Sequence, residues 1–199
     1  GEFILLYILT LIYLLLFYKN IEFKKIILTL LVTCLVLAPY LYRNITELNT
    51  FSITKSAGFN LWKGNNPNSN VEGDLKRFVD ENGPYGFDGK LKEKIKNIKI
   101  DKYYDINIDK LFFNESIKNI KKDPQKYLAL YIKKIFSFLL IDLNSTIQNY
   151  YHPFHMIPLI VISISSLIGI LLSIKKSKNL NLILMVYLSY IFIFSFFFI

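Results

Sequence analysis

Four long apolar runs dictate what this chain can fold into. Residues 3–18, 26–42, 156–174 and 180–199 are nearly free of charge, and each approaches the roughly 20 residues a helix needs to cross bilayer hydrocarbon. A helix on a soluble core shows one polar stripe, whereas Ile4-Leu5-Leu6-Tyr7-Ile8-Leu9 and Tyr190-Ile191-Phe192-Ile193-Phe194 are apolar all round. Apolar residues make up 53% of the chain and aromatics 16%, with a mean hydropathy of +0.35, more than a globular core requires. The expected fold class is therefore mainly α: a polytopic helical membrane protein with an α/loop module between two pairs of spans, residues 1–43 and 156–199. The outermost spans read as truncated, because the sequence opens at Gly1 inside one apolar run and stops at Ile199 inside another. Cys34, the single cysteine, excludes an intrachain disulfide and reads as a small packing residue of the second span.

Orientation follows from the basic flanks. Lys19, Lys24 and Lys25 lie between the first two runs, and Lys175, Lys176 and Lys178 between the last two; short basic loops stay cytoplasmic. Residues 44–155 are then extracytoplasmic, and the chain is expected to be a multi-pass protein of the plasma (inner) membrane. The net charge of +9 is spread over these flanks and loops, which fits anionic lipid head groups and not nucleic acid.

Residues 44–123 are expected to form the extracytoplasmic module. Its stretch 56–73 is rich in Gly, Asn and Pro and reads as a loop with tight turns, and 82–86 as a second turn cluster. Short helices are expected over 91–100 and 109–121. At about 80 residues with few apolar side chains, the module should lean on the membrane helices instead of folding alone.

Asp123-Pro124 then opens a helix, an N-cap acceptor followed by a residue with preset φ. Tyr127, Leu128, Tyr131, Ile135, Phe138 and Leu139 form its apolar face, opposite Lys126, Lys133, Lys134 and Ser137. A full crossing would place two lysines at mid-membrane, at roughly 2.5–3.5 kcal/mol each. Residues 124–142 are therefore expected as an amphipathic helix lying on the outer surface.

Two further stretches carry the chemistry: Ala38-Pro39-Tyr40-Leu41-Tyr42-Arg43-Asn44, and Ser56-Ala57-Gly58-Phe59-Asn60-Leu61-Trp62-Lys63-Gly64-Asn65-Asn66-Pro67. With Asp123-Pro124-Gln125-Lys126-Tyr127-Leu128 downstream, they resemble the C-type multi-spanning glycosyltransferases of the dolichyl-phosphate-mannose-protein mannosyltransferase-like group (glycosyltransferase family 39), which includes the aminoarabinose transferases. In that family a span ends in a proline and an Arg-Asn pair, and an outer loop of the form G-x-N-L-(W/Y)-x-G-N-N-P follows. The resemblance covers roughly residues 26–140. It implies transfer of a sugar from a polyprenyl-phosphate donor to a lipid, glycan or protein acceptor on the outer face of the membrane. The family's catalytic carboxylate sits in a first outer loop, which here would lie upstream of Gly1, so no residue of this chain matches it. A divalent metal, where one is used, would be held by that other half; the residues present imply no cofactor.

By their chemistry, the candidate substrate-binding residues are Arg43, Asn60, Trp62, Gly64, Asn65 and Asn66. A guanidinium at the end of a span can bind phosphate oxygens in bidentate fashion or simply snorkel to head groups. Trp62 offers a face for a sugar ring and the asparagines offer paired donors and acceptors; equally, the stretch can be a self-bonded turn cluster with Trp62 as an interfacial anchor. Asp74, Asp80, Glu81 and Asp88 read as solvated surface. Asp105-Ile106-Asn107-Ile108-Asp109 imitates a calcium loop but has Lys110 where glycine is required, and His152 with His155 lacks a third metal ligand. The competing reading is a non-enzymatic membrane protein, a transporter or polysaccharide-assembly component, which should carry functional polar residues inside its spans.

Overall fold

The computed structural model describes residues 2–17, 22–51, 56–71, 89–143, 145, 149–173 and 178–197. These form eight helices with no strand among them: α1 (Glu2–Phe17), α2 (Phe23–Leu48), α3 (Ala57–Gly64), α4 (Gly89–Lys96), α5 (Tyr104–Lys122), α6 (Pro124–Leu139), α7 (Pro153–Ser173) and α8 (Lys178–Phe197). The turn cluster at 82–86, the four carboxylates from Asp74 to Asp88, and Lys19, Lys175 and Lys176 fall outside the described residues.

Three helices, α2, α7 and most of α8, are long and apolar enough to cross a membrane, and α1 is a shorter apolar helix. Their surfaces are not covered by protein. No described residue of α7 is buried, and Leu35 and Val36 of α2 are 71% and 72% exposed, a density of bare apolar surface that a water-soluble monomer does not carry. Three hydroxyls in these helices turn onto their own backbone: Thr29 donates to the Lys25 carbonyl, Thr33 to Thr29 and Ser189 to Met185, at 2.8, 2.9 and 2.6 Å. That is how a polar side chain is satisfied without water. Cys34, expected as a packing residue, lies exposed on α2.

α2 extends further at both ends than its apolar run. Asn49 stops it with φ 48° and ψ 40°, a left-handed conformation that Asn tolerates, so that the N–H groups of Asn49 and Thr50 return to the carbonyls of Ile45 and Asn44. The Tyr7 hydroxyl meets Thr33 Oγ1 at 2.9 Å, tying α1 to α2. α1 also runs along α8, leaving an apolar groove of about 730 Å³ lined by residues such as Leu9, Tyr13, Leu184, Leu188 and Phe192.

The module has a small core of its own. Trp62, Leu91 and Phe112 are buried together, with Phe59, Ile95, Ile108 and Leu111 packed around them, so α3, α4 and α5 share one apolar centre. Lys94 of α4 pairs with Glu115 of α5 at its rim. The segment 56–73, expected as loop, is helical in its first half. Propensity alone would not make a helix of Ala57-Gly58-Phe59-Asn60-Leu61-Trp62-Lys63-Gly64; packing does. Phe59 and Trp62 anchor one face, and Asp109 Oδ1 accepts the Phe59 N–H at 2.9 Å, capping α3 from a distant helix. The false calcium loop is therefore part of α5, and one of its carboxylates serves as this cap.

Gly58 is where α3 crosses α5. A Cβ there would come within 2.0 Å of the Asp109 carbonyl oxygen, so the helices can approach this closely only over glycine. We expect Gly58→Ala to destabilise the module by roughly 1–3 kcal/mol, the usual range for overpacking. Unfolding of the detergent-solubilised chain, followed by the fluorescence of its single Trp62, measures this; an unchanged midpoint would mean that α3 does not sit on α5 as described.

Candidate functional site

The stretch from Gly58 to Pro67 ends as a junction between the carboxyl terminus of α3 and the last described turn of α8. The last four carbonyls of a helix have no partner within it, and at the end of α3 each finds one nearby. The Leu61 carbonyl accepts from Asn65 Nδ2 at 2.9 Å and the Trp62 carbonyl from the Asn65 N–H at 3.0 Å. The Lys63 carbonyl accepts from Ser69 Oγ at 3.0 Å and from Asn66 Nδ2 at 3.3 Å. The Gly64 carbonyl accepts from Lys134 Nζ at 2.9 Å. The turn beyond is closed by the Asn66 N–H on Ser69 Oγ and the Asn68 N–H on Asn66 Oδ1, at 2.8 and 2.9 Å.

The last described turn of α8 meets the same donors. Asn65 Nδ2 donates to the Phe196 carbonyl at 2.8 Å and Lys134 Nζ to the Phe197 carbonyl at 3.1 Å. Gly64 makes the meeting possible, because a Cβ there would lie 1.2 Å from the Phe197 oxygen. From the other side, Asn119 Nδ2 reaches the Asn65 carbonyl at 3.4 Å and Lys126 Nζ the Pro67 carbonyl at 2.7 Å. The junction thus collects donors from α5 and α6 onto one short run of backbone.

Lys134 is its centre. The side chain is 1% exposed, and the ammonium faces the carboxyl end of α3, whose dipole favours a cation, and the Phe197 carbonyl. Burial works against the charge and lowers the Lys134 pKa to about 8, still leaving it protonated at neutral pH. Tyr127 and Tyr131, on the same side of α6, are raised by burial, Tyr127 also by the nearby Asp123 carboxylate.

The candidate residues divide by accessibility. Trp62 is 8% exposed, its ring flanked by Phe59 and Phe112 at 6.5 and 5.1 Å between centroids, so its faces are taken up by packing. Both N–H bonds of the Asn65 amide go to main-chain carbonyls, Asn66 is 2% exposed inside its turn, and Gly64 is the point of closest approach. Asn60 is half-buried on α3, and Arg43 stands exposed near the end of α2. The structure brings Trp62, Gly64, Asn65 and Asn66 into one junction; Arg43 belongs to a helix that precedes it, and α3's principal contacts are with α5 and α8. Lys134, Asp109 and Ser69 were not among the expected site residues. The signal for Lys134 was present, since Tyr127, Leu130 and Lys134 follow helical spacing along one buried stripe.

Among the described residues no three His, Cys, Asp or Glu side chains converge to hold a metal. Compared with known protein families, curated proteins and solved structures, the chain matches none.

A lysine whose folded pKa is lowered binds its proton more weakly in the folded chain than in the unfolded one. Folding therefore becomes more favourable as pH rises from about 8 toward 10.5. The raised tyrosines act with the opposite sign above the ordinary tyrosine value of 10.0. We expect a stability gain between pH 8 and 9.5 in the native chain that disappears in Lys134→Met. At pH 7 that variant should lose about 1–3 kcal/mol through carbonyls left without their donor. Denaturant titrations at several pH values read both effects.

Proposed function

We propose that this chain belongs to an integral-membrane glycosyltransferase that takes its sugar from a polyprenyl-phosphate donor on the outer face of the membrane. The observation that carries the reading is the placement of the Gly58 to Pro67 motif. It is folded as a helix end and clamped onto the carboxyl end of an apolar helix long enough to span, and it follows α2 after a short connection. α2 and α8 both begin at lysines, Lys24 and Lys25 for one and Lys178 for the other. α8 brings its last described turn onto the module, and α2 precedes the module in the chain. With basic ends cytoplasmic, the module and the motif lie outside and residues 44–155 are extracytoplasmic.

Within this reading the motif residues hold shape, and the accessible residues meet substrate. Trp62, Gly64, Asn65 and Asn66 fix the junction. Arg43, at the outer end of α2, binds the donor phosphate, where a guanidinium is bidentate, and Asn60 meets the sugar or acceptor. The apolar groove between α1 and α8 suits the donor's isoprenoid chain. The acceptor is a lipid, glycan or protein, and the catalytic carboxylate comes from an outer loop that this stretch of sequence does not contain.

Sugar transfer from a polyprenyl-phosphate donor, assayed with the full-length protein, tests the proposal. Arg43→Ala should lower transfer by roughly ten- to a hundredfold, the loss of one charge-assisted contact of about 1.5–3 kcal/mol, while Lys110→Ala on the exposed side of α5 leaves it unchanged. Full activity in Arg43→Ala would remove the phosphate role. Transport across vesicles without any transfer would favour the non-enzymatic alternative.

A further inference from the structure

We infer that α6 does not lie flat on the membrane but enters one leaflet beside α8, with Leu128, Ile132 and Phe136 as its lipid-facing edge. The inference rests on the bilayer placement of α8 proposed above and not on the sugar-transfer activity. Three observations carry it.

The first is the direction of α6. Tyr131 contacts Phe196 and Phe192, with ring centroids at 5.3 and 6.0 Å, and its hydroxyl donates to the Phe192 carbonyl at 3.3 Å. Further along α6, Phe138 meets Tyr187 at 6.0 Å. From Tyr131 to Phe138 the ring partners step back along α8, while the long Lys134 side chain reaches to Phe197, so the two helices run antiparallel over about 10 Å. A helix crossing α8 at its end would touch a single turn. Phe138 thus lies alongside Tyr187, well back within the apolar length of α8.

The second is the assignment of faces. The buried stripe is Tyr127, Leu130 and Lys134. Leu128, Ile132 and Phe136, expected in part as the membrane-resting face, are 61%, 57% and 43% exposed and form an i, i+4, i+8 edge pointing away from the protein. Leu188, Phe192 and Phe196 of α8 are likewise exposed, at 59%, 57% and 45%. The exposed Lys133 flanks the α6 edge on one side, as expected where an inserted edge meets anionic head groups.

The third is the return. Irregular backbone at membrane depth survives only where its polar groups are satisfied by protein. After α6 the Asp142 N–H donates to the Tyr150 hydroxyl at 2.9 Å and the Tyr151 hydroxyl donates to the Asp142 carbonyl at 3.3 Å. The Ser145 N–H reaches Tyr151 at 2.7 Å. Two tyrosines, side chains suited to the membrane interface, thus take over the main chain where the helix stops.

Nitroxide labels at Leu128→Cys, Ile132→Cys and Phe136→Cys, in a Cys34→Ser background of the full-length protein in anionic vesicles, test this. Leu188→Cys on α8 serves as reference. Collision with oxygen and with a polar nickel complex should place the three labels at increasing depth, up to about 6 Å per step for a helix parallel to α8. Equal depths would overturn the inclination while leaving the bilayer placement of α8 intact. Labels shielded from both reagents would show that protein covers the edge, and nickel access at all three would show water; either outcome overturns the proposal. Nickel access at Leu188→Cys would overturn the placement of α8 itself.

Discussion

The fastening of α8 to the module depends on one buried ammonium. The last turn of α3, whose end carbonyls have no partner within that helix, meets the last described turn of α8. Lys134 Nζ lies between them and donates to one carbonyl of each. Asn65 repeats the pattern with a neutral amide. Without these donors the ends could not approach as closely as Gly64 allows, and α8 would lose its link to the module. The cation is tolerated at 1% exposure because its surroundings are oriented carbonyls and not hydrocarbon.

That interaction also explains how far the sequence could be read. The apolar runs were legible because length and uniform hydrophobicity are local properties, and Asp123-Pro124 was legible because capping is local too; Asp123 Oδ1 accepts the Lys126 N–H at 3.1 Å as expected. The reading of 56–64 as loop failed for a non-local reason. Gly58 and Gly64 were taken as turn residues, yet each sits in a helix and is small because another backbone, that of Asp109 or Phe197, passes over it. Glycine serves both purposes, and only the partner tells them apart. Lys134 was assigned to solvent by its charge, although its place on the Tyr127 and Leu130 stripe put it against the protein. Its acceptors come from α3 and from α8, at sequence distances of 70 and 63 residues.

The candidate site was legible in composition more than in role. The stretch from Gly58 to Pro67 does form one compact unit, but its asparagines spend their donors on main-chain carbonyls and its tryptophan fills a core. Asparagine suits both tasks, since a carboxamide that can bind a sugar hydroxyl can equally close a helix end. Burial separates the two uses. By that criterion Arg43 and Asn60 retain surface for a ligand, while Asn65 and Asn66 have little.

The electrostatics of the junction bear on what it could accept. Carbonyls at the end of α3 left without donors would repel a phosphate-bearing group. Lys134 and Asn65 supply those donors. Lys126 on the Pro67 carbonyl adds a second positive charge at the rim, and Arg43 on α2 would add a third from across the connection. On the proposed reading, then, the buried lysine is not a phosphate ligand. Its contribution is to make the outer end of α8 a place where an anion can be held by residues that remain exposed.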